Sequence, residues 1–146
     1  MGDDSIRLLG KEDIPAVHDL WRAAGLPFFE KGRDAVQVMA REMDHPGTFL
    51  AGIEDGNHLA AVVLGTDDGR KAWINRLAVR PSHRGRGLAR KLIHFCEKQF
   101  AERGIGIISA LIEEDNAPSL SLFLDESYEL HRDIHYLRKK VNGPEW

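Results

Sequence analysis

The spacing of apolar side chains predicts two helices near the start of the chain. Apolar residues recur at helical intervals over the first stretch, at Ile14, Val17, Leu20 and Trp21. Asp13 is a suitable N-cap for this helix, and Gly25 ends it. After a loop at 26–32, residues 33–43 predict a second short helix, and residues 5–9 predict a strand that precedes both.

The middle of the chain has the shorter periodicity of strands. Residues 48–54 and 58–64 flank a hairpin turn at 55–57, and a second turn at 67–70 leads into an apolar strand at 72–79. Because short turns join these three strands, we expect an antiparallel meander.

The second half of the chain alternates helices with strands. Residues 87–103 predict a long amphipathic helix, 105–112 a buried strand, 116–124 a short helix and 131–141 a last strand of alternating polarity. The order is β-α-α-β-β-β-α-β-α-β. A meander followed by β-α-β predicts an α/β fold, with a mixed central sheet and helices on both faces.

Composition indicates one globular domain spanning residues 1–146. Hydrophobic residues make up 42% and charged residues 29% of the chain, which excludes a disordered protein. No apolar run is long enough to cross a membrane, and the acidic first residues do not resemble a targeting peptide. Cys96 is the only cysteine, which excludes an internal disulfide and a cysteine-based metal site. We therefore expect a cytoplasmic protein.

Positive charge is concentrated in one segment. Between residues 80 and 91 the chain has five cations and no acid: Arg80, Arg84, Arg86, Arg90 and Lys91. The net charge of the chain is −3, so removing these five cations leaves −8 for the rest. A single basic segment in an acidic protein indicates a local anionic ligand, and no feature indicates a nucleic-acid or membrane partner.

The basic segment joins a strand to a helix through Gly85 and Gly87. Glycines let a ligand approach the backbone, and the start of the following helix offers free N–H groups and a positive dipole end. These features predict a phosphate site, and the arginines strengthen the prediction. The alternative interpretation is a solvated basic turn with two glycines.

Other known phosphate loops fit less well. A Walker loop needs Gly-Lys-Ser/Thr, which is absent from the sequence. The dinucleotide fingerprint needs a third glycine where Arg90 stands, and its turn is tighter than the segment from Val79 to Gly85. Glu113 and Glu114 follow the next strand, where a ribose-binding acid would lie, so the dinucleotide interpretation stays open.

The pattern Arg-x-x-Gly-x-Ala, from Arg84 to Ala89, resembles the pyrophosphate loop of the GNAT N-acetyltransferase superfamily. The preceding residues 77–81 also look like the cofactor strand of that family. A second family element, Asn-x-x-Ala-x-x-Leu-Tyr-x-x-x-Gly-Phe, is matched in spacing by Asn116, Ser119, Leu122, Phe123, Ser127 and Tyr128. The order of elements agrees with the family over nearly the whole chain.

This resemblance implies that acetyl-CoA binds in a cleft where the strands at 72–79 and 105–112 part. It implies that loop amides hold the pyrophosphate, that the backbone at 77–79 pairs with the pantetheine arm and that the N–H near Val79 polarises the thioester. The implied cofactor-binding residues are Leu77, Ala78, Val79, Arg84, Gly85, Arg86, Gly87, Leu88, Ala89, Asn116, Ser119 and Phe123.

The resemblance further implies direct transfer of an acetyl group to a primary amine of a small molecule or a protein N-terminus. Family members often place a Glu on a parted strand, where it helps to provide a neutral amine. They often place a Tyr on the following helix as the general acid that protonates the departing thiolate. Here Asn75, Leu111 and Phe123 stand at those positions, and none of them exchanges a proton. Ser109 and Glu113 are weaker candidates. The alternative is a non-catalytic acyl-CoA-binding module.

The loop at 26–32 lies where the family forms its acceptor wall. Phe28 and Phe29 would then line an apolar pocket, and Glu30 would meet a cationic amine; alternatively, the two rings are core aromatics under a loop. The oligomeric state is open, although many relatives form homodimers through their C-terminal strands. His131, Asp133 and His135 alternate along the last predicted strand, where exposed polar side chains are commoner than a metal site.

Overall fold

The computed structural model describes residues 5–144 and residue 146, and these form one five-stranded sheet with flanking helices. The strands are β1 (Ile6–Leu8), β2 (Thr48–Asp55), β3 (His58–Asp67), β4 (Lys71–Val79) and β5 (Ile107–Ser109). The helices are α1 (Ile14–Ala24), α2 (Val36–Glu42), α3 (Leu88–Glu102) and α4 (Ala117–Asp125), with 3-10 turns at Lys11–Asp13 and Pro81–His83. Over the described residues, no helix is both long and apolar enough to cross a membrane.

The strands lie in the sheet in the order of the chain, β1-β2-β3-β4-β5. The neighbours β2, β3 and β4 are antiparallel, as the predicted meander requires, and β1 also pairs antiparallel with β2. In contrast, β5 runs parallel to β4. A parallel pair needs a crossover connection, which α3 provides. The ladder between β4 and β5 extends only from the Lys71–Ile107 pair to the Trp73–Ser109 pair, so the two strands part beyond it.

Helices cover both faces of the sheet, which confirms the predicted fold class. On one face the buried side chains of α1 pack against residues of β2 and β3 such as Leu50 and Val62. On the other face Leu92 and Phe100 of α3 pack against the sheet together with Phe123 of α4. Each fully buried side chain of this size stabilises the fold by about 1.5–3 kcal/mol.

Cys96 lies within the core on the α3 face. Its side chain is fully buried and the cysteine is free. Burial raises the pKa of the Cys96 thiol to about 12. The thiol therefore stays protonated near neutral pH and offers no nucleophile.

In the second half, one predicted strand is shorter than expected and another is wrong. Of the strand expected at 105–112, only Ile107–Ser109 is formed, and the strand expected at 131–141 is absent, so the predicted order loses its last element. Every residue from 131 to 141 is exposed, and Leu137 is 88% exposed. Alternating polarity marks the face that a strand would bury, but a strand also needs a partner for its backbone groups. The short β5 offers little edge for that purpose.

The second helix is shorter than predicted. Residues 33 and 34 belong to a turn, and Ala35 is the extended N-cap of the helix. The N–H of Asp34 donates to the carbonyl of Phe29 at 2.9 Å and the N–H of Ala35 to that of Gly32 at 3.1 Å. The helix then begins at Val36. The preceding helix does end at Gly25, whose left-handed φ of 74° explains the glycine.

Candidate functional site

A cleft opens where β4 and β5 part. A bulge in the pairing of β3 with β4 leaves Arg76 and Leu77 without register partners, and Arg76 has a φ of 53°. After the bulge, the N–H of Arg80 donates to the carbonyl of Ala60 at 2.7 Å. Because backbone groups alternate in direction along a strand, those of Val79 point away from β3, toward the gap.

The chain turns from β4 into α3 through a glycine loop, residues 84–87. The φ angle is 81° at Gly85 and 77° at Gly87, and a Cβ atom on either glycine would meet no atom within 4 Å. Within the described chain, the amides of residues 85–87 donate to no backbone carbonyl. The first turn of α3 adds further free N–H groups and the positive end of the helix dipole. This open, donor-rich corner suits an anion.

A cavity of about 180 Å³ lies at this corner. Its wall combines the end of β4, the glycine loop with the start of α3, and one residue of α4: Val79, His83, Arg84, Gly85, Gly87, Leu88, Ala89, Arg90 and Leu122. The structure thus brings together most of the residues that the sequence placed in the loop. It adds His83, Arg90 and Leu122, which the sequence analysis did not assign to the site.

A sequence signal existed for two of these additions. His83 and Arg90 lie inside the basic segment that indicated an anionic ligand. Leu122 had no such signal, because only the rotation of α4 decides whether it or Phe123 faces the cavity. Phe123 is 5% exposed and packs in the core. Its predicted contact with the cofactor stays a prediction.

The glycine loop is held from the side by the β2–β3 hairpin. Nε2 of His83 lies 2.7 Å from a carboxylate oxygen of Asp55, and Oγ of Ser82 lies 2.8 Å from Nδ1 of the same ring. The guanidinium of Arg86 lies 4.0 Å from Asp55. The hydrogen bond from His83 lowers the pKa of Asp55, so this carboxylate stays charged near neutral pH.

The cations around the cavity differ in their partners. Arg90 forms an ion pair with Glu126, whose carboxylate also contacts His94. The contacts with His94 and Arg90 lower the pKa of Glu126. Arg84 instead donates to the backbone carbonyl of Ala24, at 3.4 Å. The charge of Arg90 is thus compensated within the protein, and Arg86 lies at 4.0 Å from the carboxylate of Asp55. Arg84, whose partner is an uncharged carbonyl, is therefore better suited to an anionic ligand.

The predicted cofactor strand presents its two faces to different cores. Leu77 and Val79 pack toward the α3 face, whereas Ala78 is 6% exposed and packs toward the α1 face. Their side chains are therefore engaged in packing. The backbone groups of residues 77–79 can still meet a ligand, and Val79 also lines the cavity.

The candidates for proton transfer are dispersed. The side-chain amide of Asn75 donates to Oγ1 of Thr66 at 3.2 Å, and Ser109 is the last residue of β5 paired with β4. Glu113 is exposed, and its backbone carbonyl accepts the N–H of Asn116 at 2.9 Å. Asn75 is thus engaged with β3, Ser109 belongs to the ladder of β4 with β5, and Glu113 lies exposed.

Tyr128, which packs beside Phe123, does not provide the general acid that Phe123 cannot be. Tyr128 packs edge-on against Phe123, with ring centres 5.0 Å apart, and its hydroxyl donates to Glu97 at 2.8 Å. Burial and the bond to Glu97 raise the pKa of Tyr128 well above its usual value of 10.0. The hydroxyl is therefore engaged in packing α4 against α3.

The start of α4 carries the other two predicted cofactor residues. Oδ1 of Asn116 accepts the N–H of Ser119 at 3.3 Å and so caps the helix. Asn116 is exposed and Ser119 half-buried. The cap fixes the direction in which α4 leaves the parted end of β5.

The predicted acceptor residues lie in two environments. Phe28 is half-buried and stacks on His18, with ring centres 5.0 Å apart, which matches the interpretation as a core aromatic. Phe29 is 40% exposed, and Nζ of Lys140 lies 5.0 Å from the centre of its ring. Glu30 forms an ion pair with Arg22 at 3.2 Å.

The histidines near the end of the chain lie in solvent. His131 lies 3.8 Å from Glu129 and 3.7 Å from Asp133, and all three side chains are exposed. Over the residues that the structure describes, no group of three or more His, Cys, Asp or Glu side chains could hold a metal ion.

The chain matches the family model described as the acetyltransferase (GNAT) family over residues 14–125. The matched range contains β4, the glycine loop, α3 and α4. It therefore includes the whole wall of the cavity.

Solved acetyltransferases have the same fold. The ribosomal-protein-alanine N-acetyltransferase from Brucella melitensis biovar Abortus 2308 is 17% identical, with a TM-score of 0.72 over 93% of this chain and 99% of that one. An aminoglycoside antibiotic 6'-N-acetyltransferase from Acinetobacter haemolyticus is 14% identical, with a TM-score of 0.74 over 94% and 99%. PaiA N-acetyltransferase from Thermoplasma acidophilum, in complex with coenzyme A, is 17% identical, with a TM-score of 0.73 over 84% and 87%.

Proposed function

Because the chain belongs to the GNAT family of acetyltransferases and is an N-acetyltransferase that uses acetyl-CoA, we propose that it moves the acetyl group directly to a primary amine. The amine belongs to a small molecule or to a protein N-terminus. The observation that carries this proposal is the parting of β4 and β5 beside a donor-rich glycine loop. A strand edge and an anion site there adjoin one cavity.

The residues of this corner fit an elongated thioester with a diphosphate. The amides of residues 85–89, which include the first two residues of α3, would hold the diphosphate. The guanidinium groups of Arg84 and Arg86 would offset its charge. Backbone groups of Leu77 and Val79 pair with the amide-containing arm as an added strand would. Acetyl-CoA supplies the acetyl group as a thioester.

The same strand edge positions the reacting carbonyl. The N–H of Val79 faces the gap and would donate to the thioester oxygen, where negative charge develops as the amine nitrogen bonds to the carbonyl carbon. The C–S bond would then break, and CoA would leave as a thiolate that takes up a proton. Asn116, Ser119 and Phe123 border the far side of the arm in this proposal. Leu122 adds an apolar contact where it lines the cavity.

Proton transfer in this proposal uses water or the acceptor itself. Asn75 and Phe123 cannot exchange protons, and the hydroxyl of Tyr128 is bound to Glu97. A lysine-like amine has a pKa of about 10.4, so about one molecule in 2,500 is neutral at pH 7. General acid–base help is worth about 10²–10⁴-fold. We therefore expect slow turnover that rises with pH as the amine deprotonates.

The segment 130–141 bears on whether the protein forms a homodimer. The exposed apolar side chains of 130–141, among them Ile134 and Leu137, suit contact with a second copy, and a homodimer belongs to this proposal. Light scattering on a sizing column tests the homodimer, and a monomer at all concentrations contradicts it.

A cytoplasmic location is proposed because a single buried free cysteine suits a reducing compartment.

The test is release of free thiol from acetyl-CoA in the presence of single amines. An aminoglycoside, a peptide with N-terminal alanine and spermidine represent three classes of acceptor, and mass spectrometry identifies the acetylated product. At least one amine should gain an acetyl group at a rate above that of acetyl-CoA alone. Tight binding of CoA without transfer to any amine would instead indicate the non-catalytic acyl-CoA-binding module.

A further inference from the structure

The bulge in β4 turns one side chain toward the far face of the sheet. Arg76 has a φ of 53°, which residues other than glycine rarely adopt. The guanidinium carbon of Arg76 lies 4.5 Å from the centre of the Trp21 ring on α1. The side chain is 26% exposed, so most of it is enclosed by protein.

Arg76 holds both ends of residues 26–34, a segment that contains the loop at 26–32 where the family resemblance predicts the acceptor wall and that is called the acceptor loop from here on. One guanidinium nitrogen donates to the carbonyl of Pro27 at 2.8 Å, and another donates to a carboxylate oxygen of Asp34 at 2.6 Å. The same oxygen of Asp34 accepts the N–H of Phe29 at 2.9 Å. The start, middle and end of the loop are thus connected to one side chain of β4.

The carboxylate of Asp34 depends on this partner. Its side chain is 9% exposed. A buried carboxylate that loses its cation is left with an uncompensated charge. The backbone of Asp34 is held separately, because its carbonyl lies 2.7 Å from Nε2 of the buried His18. Loss of the ion pair should therefore loosen the centre of the loop before it displaces its end.

We propose that Arg76 is a positioning residue for the amine acceptor, because it ties the acceptor loop to the strand that borders the cofactor cleft. This inference rests on the proposed function and on the predicted assignment of the loop at 26–32 to the acceptor. Arg76 lies directly before Leu77, so one short stretch of backbone connects the strand edge proposed for the cofactor with the acceptor loop. A lysine cannot replace it fully, since Lys lacks the planar fork that reaches two acceptors at once.

The first test measures the loop without any turnover. Trypsin cuts after Lys31 and Arg33, which are exposed in the loop. In Arg76→Gln, we expect cleavage at these two sites to become at least about tenfold faster, because the buried carboxylate loses its partner. Circular dichroism establishes that the variant is folded.

The ion pair of Arg103 with Asp67 provides a matched control. These side chains lie 2.7 Å apart, with Asp67 2% exposed, and the pair lies outside the loop and the cavity. Arg103→Gln therefore removes a comparable partner without touching the acceptor loop. It should leave the cleavage rate after Lys31 and Arg33 within about twofold of the wild type. Equal acceleration in both variants would overturn the assignment.

The second test separates the acceptor from the cofactor. With an amine that the wild type acetylates, Arg76→Gln should raise the KM for that amine at least about tenfold, with kcat within about threefold. CoA affinity by calorimetry should stay within about twofold, and Arg76→Lys should recover part of the loss. An unchanged KM, or a parallel loss of CoA affinity, would overturn the proposal. Absence of turnover with every amine would count against the proposed function, while the trypsin result would still decide whether Arg76 holds the loop.

Discussion

The glycine loop and the segment 130–141 are both rich in charge, but they differ in how the structure uses them. The glycine loop adjoins a cavity, and its neighbours Ser82 and His83 are fixed by the β2–β3 hairpin. The segment 130–141 is exposed throughout, and its backbone takes part in no strand. Local signals such as glycines and caps suffice for the first region, whereas a strand in the second would have required a neighbouring strand edge, which the pattern of one segment does not specify.

The largest expected effect breaks the glycine loop itself. Gly87→Glu puts a carboxylate beside the anion site, so CoA affinity should fall by at least about 100-fold. Gly104→Glu is the control, because Gly104 has a similar φ of 80° and equally open surroundings just beyond the other end of α3. Both variants strain a left-handed residue. Calorimetric titration should find the loss of affinity in Gly87→Glu alone, and equal losses in both would contradict the site.

A second pair of variants compares the folded core with the segment 130–141. Leu92→Ala removes a fully buried side chain and should lower the free energy of unfolding by about 2–5 kcal/mol. Leu137→Ala removes one that is 88% exposed and should change it by less than about 0.5 kcal/mol in dilute protein. Urea unfolding measures both. A large loss in Leu137→Ala that grows with protein concentration would indicate that the segment is buried between copies.

A smaller effect concerns acid stability outside both regions. The hydrogen bond from Arg103 holds the pKa of Asp67 below its usual value of 3.8. A carboxylate with a lowered folded pKa stabilises the protein above its unfolded pKa, and this contribution is lost as pH falls through the folded value. Asp67→Asn should therefore be less stable than the wild type near pH 6, and the difference should shrink below pH 4. Thermal unfolding across this range checks the sign, and a constant difference would contradict it.

The elements that sequence predicted well are those with local determinants. Gly25 ends α1, and the glycine loop separates β4 from α3 as the spacing of Gly85 and Gly87 predicted. The two strand errors have a different cause, because Ile107–Ser109 and residues 131–141 depend on a neighbouring edge. Pairing is a property of two segments, so the pattern of one segment could not decide it.

The candidate site divides in the same way. The candidate anion-binding loop could be predicted from its glycines and cations, but the lining by Leu122 depended on the rotation of α4. The ion pair of Arg76 with Asp34 joins residues 42 positions apart in the sequence. It forms at a bulge that no local sequence signal predicted. Long-range polar contacts of this kind require the tertiary structure.

The most direct test of the account is thermal unfolding of the wild type with CoA and, separately, with NAD. A ligand that binds only the folded state raises the Tm by mass action, by about 5–10 °C at roughly 100 times its Kd. CoA should raise the Tm with increasing concentration, and NAD should leave it unchanged, because the third glycine of a dinucleotide loop is replaced by Arg90. A shift with NAD and none with millimolar CoA would contradict the assignment of the cleft.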